Sequence, residues 1–109
     1  MNNSKIRTEV TFETHQGRVL SKRKEYYENG TLFREGTYSK GNGSWTWDVA
    51  IGKVVSYFED GQLMSEELFD DQGSHEGETR IYNRKGKLQK RIIYKNDLKV
   101  EEFEESDDT

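Results

Sequence analysis

The stretch YYENGTLFREGTY, residues 26–38, decides the fold of this chain. Two tyrosines lead into Asn-Gly, a leucine follows two residues after the glycine, and a tyrosine ends the stretch. The same order returns as YFEDGQLMSEELF (57–69) and as YNRKGKLQKRIIY (82–94). Three such copies in a chain of 109 residues are typical of a repeat array.

Each copy predicts a β-hairpin whose turn contains the glycine. Aligned on the glycine, every copy has a tyrosine four residues before it, a leucine two residues after it and an aromatic residue eight residues after it. A glycine at the turn supplies a positive φ at no steric cost. The aligned residues are Tyr26, Gly30, Leu32 and Tyr38, then Tyr57, Gly61, Leu63 and Phe69, then Tyr82, Gly86, Leu88 and Tyr94.

Two turn types compete for these hairpins. A two-residue type I′ turn suits Asn29-Gly30 but fits Lys85-Gly86 poorly, because the lysine would also need a positive φ. A three-residue loop with glycine as the bulge residue suits all copies, so we favour it. The predicted cross-strand pairs, all on one face, are Tyr26–Leu32, Tyr57–Leu63, Tyr82–Leu88, Leu20–Tyr38 and Ile51–Phe69.

The rest of the chain continues the same pattern, with weak helical periodicity throughout. We therefore predict an all-β fold, an antiparallel meander of stacked β-hairpins that forms one extended, twisted sheet. Residues 1–109 form a single domain, and the acidic tail 101–109 is expected to fray. The eight predicted strands cover about 5–14, 18–27, 31–39, 44–58, 62–70, 77–83, 87–95 and 98–104.

The grammar G-x(4)-Y-x(3)-G-x-L followed by an aromatic residue resembles the MORN-variant repeat, a form common in small bacterial proteins. Its glycines are Gly52 and Gly61 in one copy and Gly77 and Gly86 in the next, while Ser21 replaces the first glycine of the earlier copy. The resemblance covers roughly residues 18–95. It implies stacked hairpins and interaction rather than catalysis. Relatives of this type are often labelled antitoxin or immunity-like, and other MORN proteins have been linked to phospholipids.

Composition excludes several kinds of site. The chain has no cysteine, so disulfides, thiolate zinc sites and cysteine nucleophiles are impossible, and a cytoplasmic location fits best. It contains neither a signal peptide nor an apolar run of the length that a transmembrane segment needs. Hydrophobic residues make up 30% of the chain against 35% charged ones, which supplies only a thin core.

The residues that could carry chemistry form no recognisable constellation. His15 and His75 each lie beside a turn glycine, where we expect exposed loop histidines. DDQGSHEGE (70–78) lacks the order of a calcium loop, and KGNGSW (40–45) lacks that of a phosphate loop. Glu66 and Glu67 are adjacent on a strand and point to opposite faces, so they form no acid/base pair. We expect no enzyme activity, no cofactor and no metal.

Charge is arranged in blocks. Residues 54–79 contain eight acids and no Lys or Arg, whereas residues 80–99 contain eight bases and one acid. Trp45 and Trp47 alternate with polar residues, and two interpretations remain open for them, a patch of core and an exposed aromatic anchor. The candidate partner-binding residues are Trp45, Trp47, Glu59, Asp60, Glu66, Glu67, Asp70 and Asp71.

These patterns favour a non-catalytic protein-interaction module, with an antitoxin or immunity protein that occludes a basic toxin as its specific form. The alternative is a peripheral protein that binds phospholipid headgroups through the basic block 80–99. A third hypothesis is a structural repeat protein that self-associates through its sheet edges. Nucleic acid is not expected as a partner, because the pI is near 5.3.

Overall fold

A computed structural model describes residues 7–40 and 48–105; Trp45 and Trp47 lie outside this part. Within it, the chain forms one open antiparallel sheet of eight strands in sequence order and no helix. The predicted all-β meander is therefore confirmed. The strands are β1 (Arg7–His15), β2 (Arg18–Tyr26), β3 (Leu32–Lys40), β4 (Asp48–Tyr57), β5 (Leu63–Phe69), β6 (Gly77–Tyr82), β7 (Leu88–Lys95) and β8 (Leu98–Glu104).

The three repeat turns share one geometry. Gly30, Gly61 and Gly86 have φ angles of 92°, 94° and 83°. In the first copy the Tyr27 N–H donates to the Thr31 carbonyl at 2.8 Å, and the Gly30 N–H donates to the Tyr27 carbonyl at 2.9 Å. The other two copies repeat both bonds. The three-residue loop with a left-handed glycine is confirmed.

The cross-strand register confirms some predicted pairs and corrects others. Tyr26 faces Leu32, and the same pairing recurs at the other two turns. One residue further on, a bulge shifts the register, so the predicted pairs Leu20–Tyr38 and Ile51–Phe69 are wrong by one residue. The shift also puts the second aromatic of each repeat on the opposite face from the first tyrosine. The observed pairs are Ser21–Tyr38, Gly52–Phe69 and Gly77–Tyr94.

This shift explains the first glycine of the repeat pattern. In each copy a small residue, Ser or Gly, lies directly opposite a large ring. A residue without a bulky side chain leaves room for the ring to lie across the neighbouring strand. The glycine is thus paired through space with an aromatic residue that follows it by 17 positions in the chain.

The two faces of the sheet differ in composition. One row of cross-strand neighbours runs across all eight strands on each face. We call the face with more charged residues in its row the ionic face, and the other, whose row includes Thr8, Ser56 and Ser65, the small-residue face. The ionic row is Glu9, Lys24, Glu35, Val55, Glu66, Arg80, Arg91 and Phe103. The row on the small-residue face is Thr8, Glu25, Arg34, Ser56, Ser65, Ile81, Lys90 and Glu104.

The core is thin and lies mainly on the small-residue face. Val54, Ile92, Ser21, Ser56 and Thr79 are buried there. On the ionic face, the loop after β5 lies close to the beginning of β4. The approach is so close that a Cβ atom added to Gly73 would lie 2.7 Å from the Cβ of Val49. The protein is elongated, with extents of 51 × 38 × 23 Å.

Candidate protein-binding surface

The turns of the three repeats lie side by side at one end of the sheet. The Tyr27 hydroxyl donates to the Tyr57 carbonyl at 2.7 Å, and the Asn29 side-chain amide donates to the Glu59 carbonyl at 3.3 Å. The Arg84 guanidinium lies 4.9 Å from the centre of the Phe58 ring. These contacts join the first turn to the second and the second to the third. We define the turn-tip surface as Tyr27, Glu28, Asn29, Phe58, Glu59 and Asp60.

Aromatic rings form the base of this surface. Tyr27 and Phe58 are half-buried and occupy the same position in successive repeats, three residues before the turn glycine. Phe33 packs against Tyr27 with ring centres 5.0 Å apart. Burial, together with the nearby charge of Glu59, raises the pKa of the Tyr27 hydroxyl, so this group stays protonated and able to donate. The rings are therefore held in fixed positions while part of each remains accessible.

Carboxylates follow the rings on the same two turns. Glu28, Glu59 and Asp60 are exposed, and within the described residues Glu28 and Glu59 form no ion pair. Asp60 accepts a hydrogen bond from the Gln62 backbone at 3.0 Å, which fixes the turn and leaves its second oxygen towards solvent and the Gln62 side chain. Three acids at two adjacent turns therefore contribute negative charge to this surface without a direct ion pair among the described residues, while the Arg84 guanidinium lies against the Phe58 ring at its margin.

The predicted acidic site divides into separate parts. Glu59 and Asp60 belong to the turn-tip surface, whereas Asp70 and Asp71 lie at the other end of β5. The Asp70 carboxylate accepts backbone hydrogen bonds from Gln72 and Ser74 at 2.9 Å, which lowers its pKa and ties it to its own turn. The Asp71 carbonyl accepts from Arg18 at 2.6 Å.

Glu66 and Glu67 are engaged within the sheet. Glu66 lies on the ionic face, 3.8 Å from the Lys53 ammonium. Glu67 lies on the small-residue face, 3.4 Å from Nε2 of His75. Glu66 and Glu67 are close to Glu59 along the chain, which is why the sequence predicts one acidic site. Alternation along the strand places the two side chains on opposite faces of the sheet, away from the turn.

His75 departs from the expectation of an exposed loop histidine. Its ring lies between Phe69, at 4.5 Å, and Tyr94, at 4.4 Å between centres. Its Nδ1 is 3.5 Å from the Asp97 carboxylate, whose oxygen also accepts the His75 backbone N–H at 2.9 Å. His75 thus joins β5 to β7. In the described part of the chain no three His, Cys, Asp or Glu side chains group into a metal-ligand set.

Most strand cations of the basic block are neutralised by carboxylates of the same sheet. Glu78 accepts from Arg80 at 2.6 Å and from Arg91 at 3.0 Å, and these bonds lower its pKa. Lys90 pairs with Glu102 at 3.3 Å, and these contacts with β8 raise the pKa of the lysine. The acids that begin the C-terminal acidic stretch therefore serve as partners for β7.

Each repeat also corresponds to one stretch of a known sequence family. The description "MORN repeat variant" matches residues 21–40, 51–71 and 76–96, together more than half of the chain. The chain belongs to the MORN repeat variant family. Each MORN variant repeat here contains one small residue, one three-residue turn and the aromatic residue that faces the small one. MORN repeats are generally non-enzymatic and often bind membranes or proteins.

Comparisons with curated proteins and with solved structures identify no relative of this chain. Among the described residues, no helix has the length and apolar character to cross a membrane. The assignment to the MORN variant family therefore rests on the three repeats and on the geometry that they share.

The sequence contains a signal for the turn-tip surface at the position before each hairpin loop. Position −3 relative to the turn glycine is Tyr27 in one copy and Phe58 in the next, and Asn83 in the third. Residues at −3 bond across the loop only through their backbones, whereas each tyrosine at −4 faces a leucine, so an aromatic side chain at −3 is not needed for strand pairing. A repeated aromatic residue without a cross-strand role therefore marks this surface.

Proposed function

We propose that this MORN variant protein is a non-catalytic module that binds a cationic protein through the turn-tip surface. The observation that carries the proposal is the combination of fixed, partly accessible rings with a rim of unpaired carboxylates. Aromatic side chains are over-represented among the residues that dominate binding energy, and a charged rim is typical of such interfaces. Several carboxylates on the strands pair instead with neighbouring cations, among them Glu66, Glu78 and Glu102.

The roles of ring and rim differ. Rim carboxylates attract a positively charged partner during encounter and so set the association rate and its dependence on salt. Rings that lose water on binding mainly set the dissociation rate. Glu28 and Glu59 have the first role in this proposal, and Phe58 has the second.

The specific form of this function that we propose is that of an antitoxin or immunity protein, which covers the basic surface of a toxin. The support is the acidic rim together with the single-layer sheet of the described residues, in which no second layer covers the turn tips. Covering a surface in this way needs no catalytic group.

The test uses the chain as an immobilised bait in a lysate of its host, followed by kinetics with each purified protein that binds. The charge-reversed variant Glu28→Lys/Glu59→Lys is compared with Glu101→Lys/Glu105→Lys, which makes the same change in net charge at exposed positions near β8. We expect the first variant to slow association and to flatten its salt dependence, while the second behaves as wild type. Equal association rates for the two variants would remove the turn-tip surface from the interface.

A second candidate is binding to anionic phospholipid, favoured by one specific observation. Arg84, Lys85 and Lys87 at the third turn are exposed and form no ion pair with a described residue. Such cations are attracted to an anionic leaflet. The test is co-sedimentation with phosphatidylcholine vesicles, with and without phosphatidylserine. Binding that needs phosphatidylserine and is lost in Lys85→Glu/Lys87→Glu, with no cationic protein recovered, would put this function first.

A further inference from the structure

The open sheet has two outer edges, and they are protected to different degrees. In the described chain, β1 forms one edge and β8 the other, and neither pairs with a further strand on its outer side. Unpaired edges are templates for another strand, which proteins block with charge, proline or irregularity. β8 carries three glutamates in its seven residues and a register shift in its pairing with β7, and both features hinder the addition of another strand.

β1 lacks this protection. It has nine residues without lysine, proline or a bulge, and all of them are exposed. Its charged side chains all lie on the ionic face, while the other face carries only Thr8, Val10, Phe12 and Thr14. Phe12 is 71% exposed and Val10 40%, which is unusual for large apolar side chains at the centre of a regular strand.

The turn that follows β1 shows which backbone groups face the open edge. Gln16 and Gly17 have φ angles of 54° and 77°, as in a two-residue type I′ turn. His15 and Arg18, which flank this turn, form its closing hydrogen-bonded pair, and such pairs then alternate along an antiparallel ladder. Odd-numbered residues of β1 therefore bond to β2. The N–H and C=O groups of Thr8, Val10, Phe12 and Thr14 point outward.

We propose that β1 pairs with β1 of a second copy of this chain, antiparallel and centred on Val10. The outward backbone groups of Val10 then bond to those of Val10 in the second copy. A two-fold axis perpendicular to the sheet keeps each face continuous across the junction. The interface adds strand pairing and a shared apolar row, and it lies on a different element from the turn-tip surface.

Charge selects this register. Centring the pair on Thr11 would place Glu9 opposite Glu13 of the second copy, and centring it on Glu9 would place that residue against itself. Centring on Phe12 avoids like charges but leaves Arg7 without a strand opposite it. Centring on Val10 also avoids them and in addition sets Arg7 opposite Glu13 of the second copy, twice by symmetry. Both side chains are half exposed or more and accessible for this contact.

The first test measures oligomeric state. We expect sedimentation velocity to give a species of twice 12.8 kDa whose fraction rises with protein concentration. Val10→Pro removes only an outward N–H and should leave a folded monomer. Val10→Lys keeps that N–H and places a charge in the apolar row, with the same expected loss. The matched control Val100→Lys, at an exposed position of β8, should dimerise as wild type does. Far-UV circular dichroism confirms that each variant is folded.

The second test fixes the register. The chain has no cysteine, so an introduced thiol is the sole one present. In a hydrogen-bonded antiparallel pair the Cα atoms are about 5.5 Å apart, within the range of a disulfide. Oxidation of Val10→Cys should therefore give a covalent dimer in good yield, whereas Phe12→Cys and Val100→Cys should give far less.

Three results would overturn the proposal. They are a wild-type protein that stays monomeric at every concentration, a dimer that survives both Val10 substitutions, and a disulfide that forms at position 12 or 100 in preference to position 10. None of these results bears on capture of a cationic partner, so the proposed function stands or fails separately. If the dimer forms, the two-fold axis directs the two turn-tip surfaces to opposite ends and makes the protein bivalent.

Discussion

Gly36 and Val54 make the most direct test of how the sheet is packed. Gly36 lies in β3, and a Cβ built on it would be 2.8 Å from Cγ2 of Val54 and 3.4 Å from both Cβ and Cγ1. Rotating Val54 cannot relieve this contact, since a second methyl group would replace the first. Val54 is only 4% exposed, so it has no solvent to move into. Gly36→Ala should therefore overpack the small-residue face.

The magnitude follows from two opposing effects. Overpacking costs about 1–3 kcal/mol, while replacing glycine with alanine stabilises by about 0.4–1 kcal/mol through the unfolded chain. We expect Gly36→Ala to lower the free energy of unfolding by about 1–2 kcal/mol. Val54→Ala alone removes two buried methyl groups and should cost about 2 kcal/mol. In that background the clash is absent, so Gly36→Ala should become stabilising by about 0.4–1 kcal/mol.

The assay is urea unfolding followed by far-UV circular dichroism on the wild type, both single variants and the double variant. The matched control is Val55→Ala, because Val55 is the next residue of β4 and lies on the ionic face. Gly36→Ala should keep its full cost in the Val55→Ala background. If Gly36→Ala has the same effect in the Val54→Ala background as in wild type, the contact does not exist and the assignment of faces is wrong.

Three further predictions follow from the turns and the ion pairs. Gly61 has a φ of 94° and open space around its Cα, so Gly61→Ala should cost about 1–2 kcal/mol from backbone strain alone, measured by urea unfolding, with Gly61→Asn costing less. Tyr27→Phe removes the 2.7 Å bond to the Tyr57 carbonyl and should cost about 0.5–1.5 kcal/mol, whereas Tyr26→Phe loses only an exposed 3.2 Å bond and should cost less in the same assay. The pKa of Glu78 is held below its ordinary value of 4.5 by two arginines, so its contribution to stability is present above that pH and is lost as the pH falls through the lowered value. Glu78→Gln should therefore reduce the fall in melting temperature as the pH is lowered. A melting temperature that falls with pH as steeply as in the wild type would contradict this.

The turns and the strand order could be predicted because their causes are local. A glycine with positive φ at the same place in three copies specifies a three-residue loop, and the alternation of side chains specifies the Tyr–Leu pairs beside it. Short connections then make each strand the neighbour of the next. The bulge could not be predicted in this way. Continuing the register of the loop along the strands without a one-residue shift places Tyr38 and Phe69 on the wrong face.

The candidate site was only partly predictable for the same reason. Glu59 and Asp60 could be found because turn residues are exposed whatever the register. The roles of Glu66 and Glu67 could not, since a carboxylate on a strand is neutralised or available according to the side chain that the neighbouring strand presents.

The sequence by itself determined an eight-strand meander of hairpins, the loop type and the absence of cysteine chemistry, because each depends on the identity and spacing of residues near one another. The tertiary structure decided which charges stay unpaired, which aromatic rings line up at the turn tips, and that His75 lies between Phe69 and Tyr94. These depend on cross-strand register and on contacts between successive repeats. A one-residue bulge changes both, because it moves all the following side chains of a strand to the opposite face. That change is visible only when neighbouring strands are compared, not within one stretch of sequence.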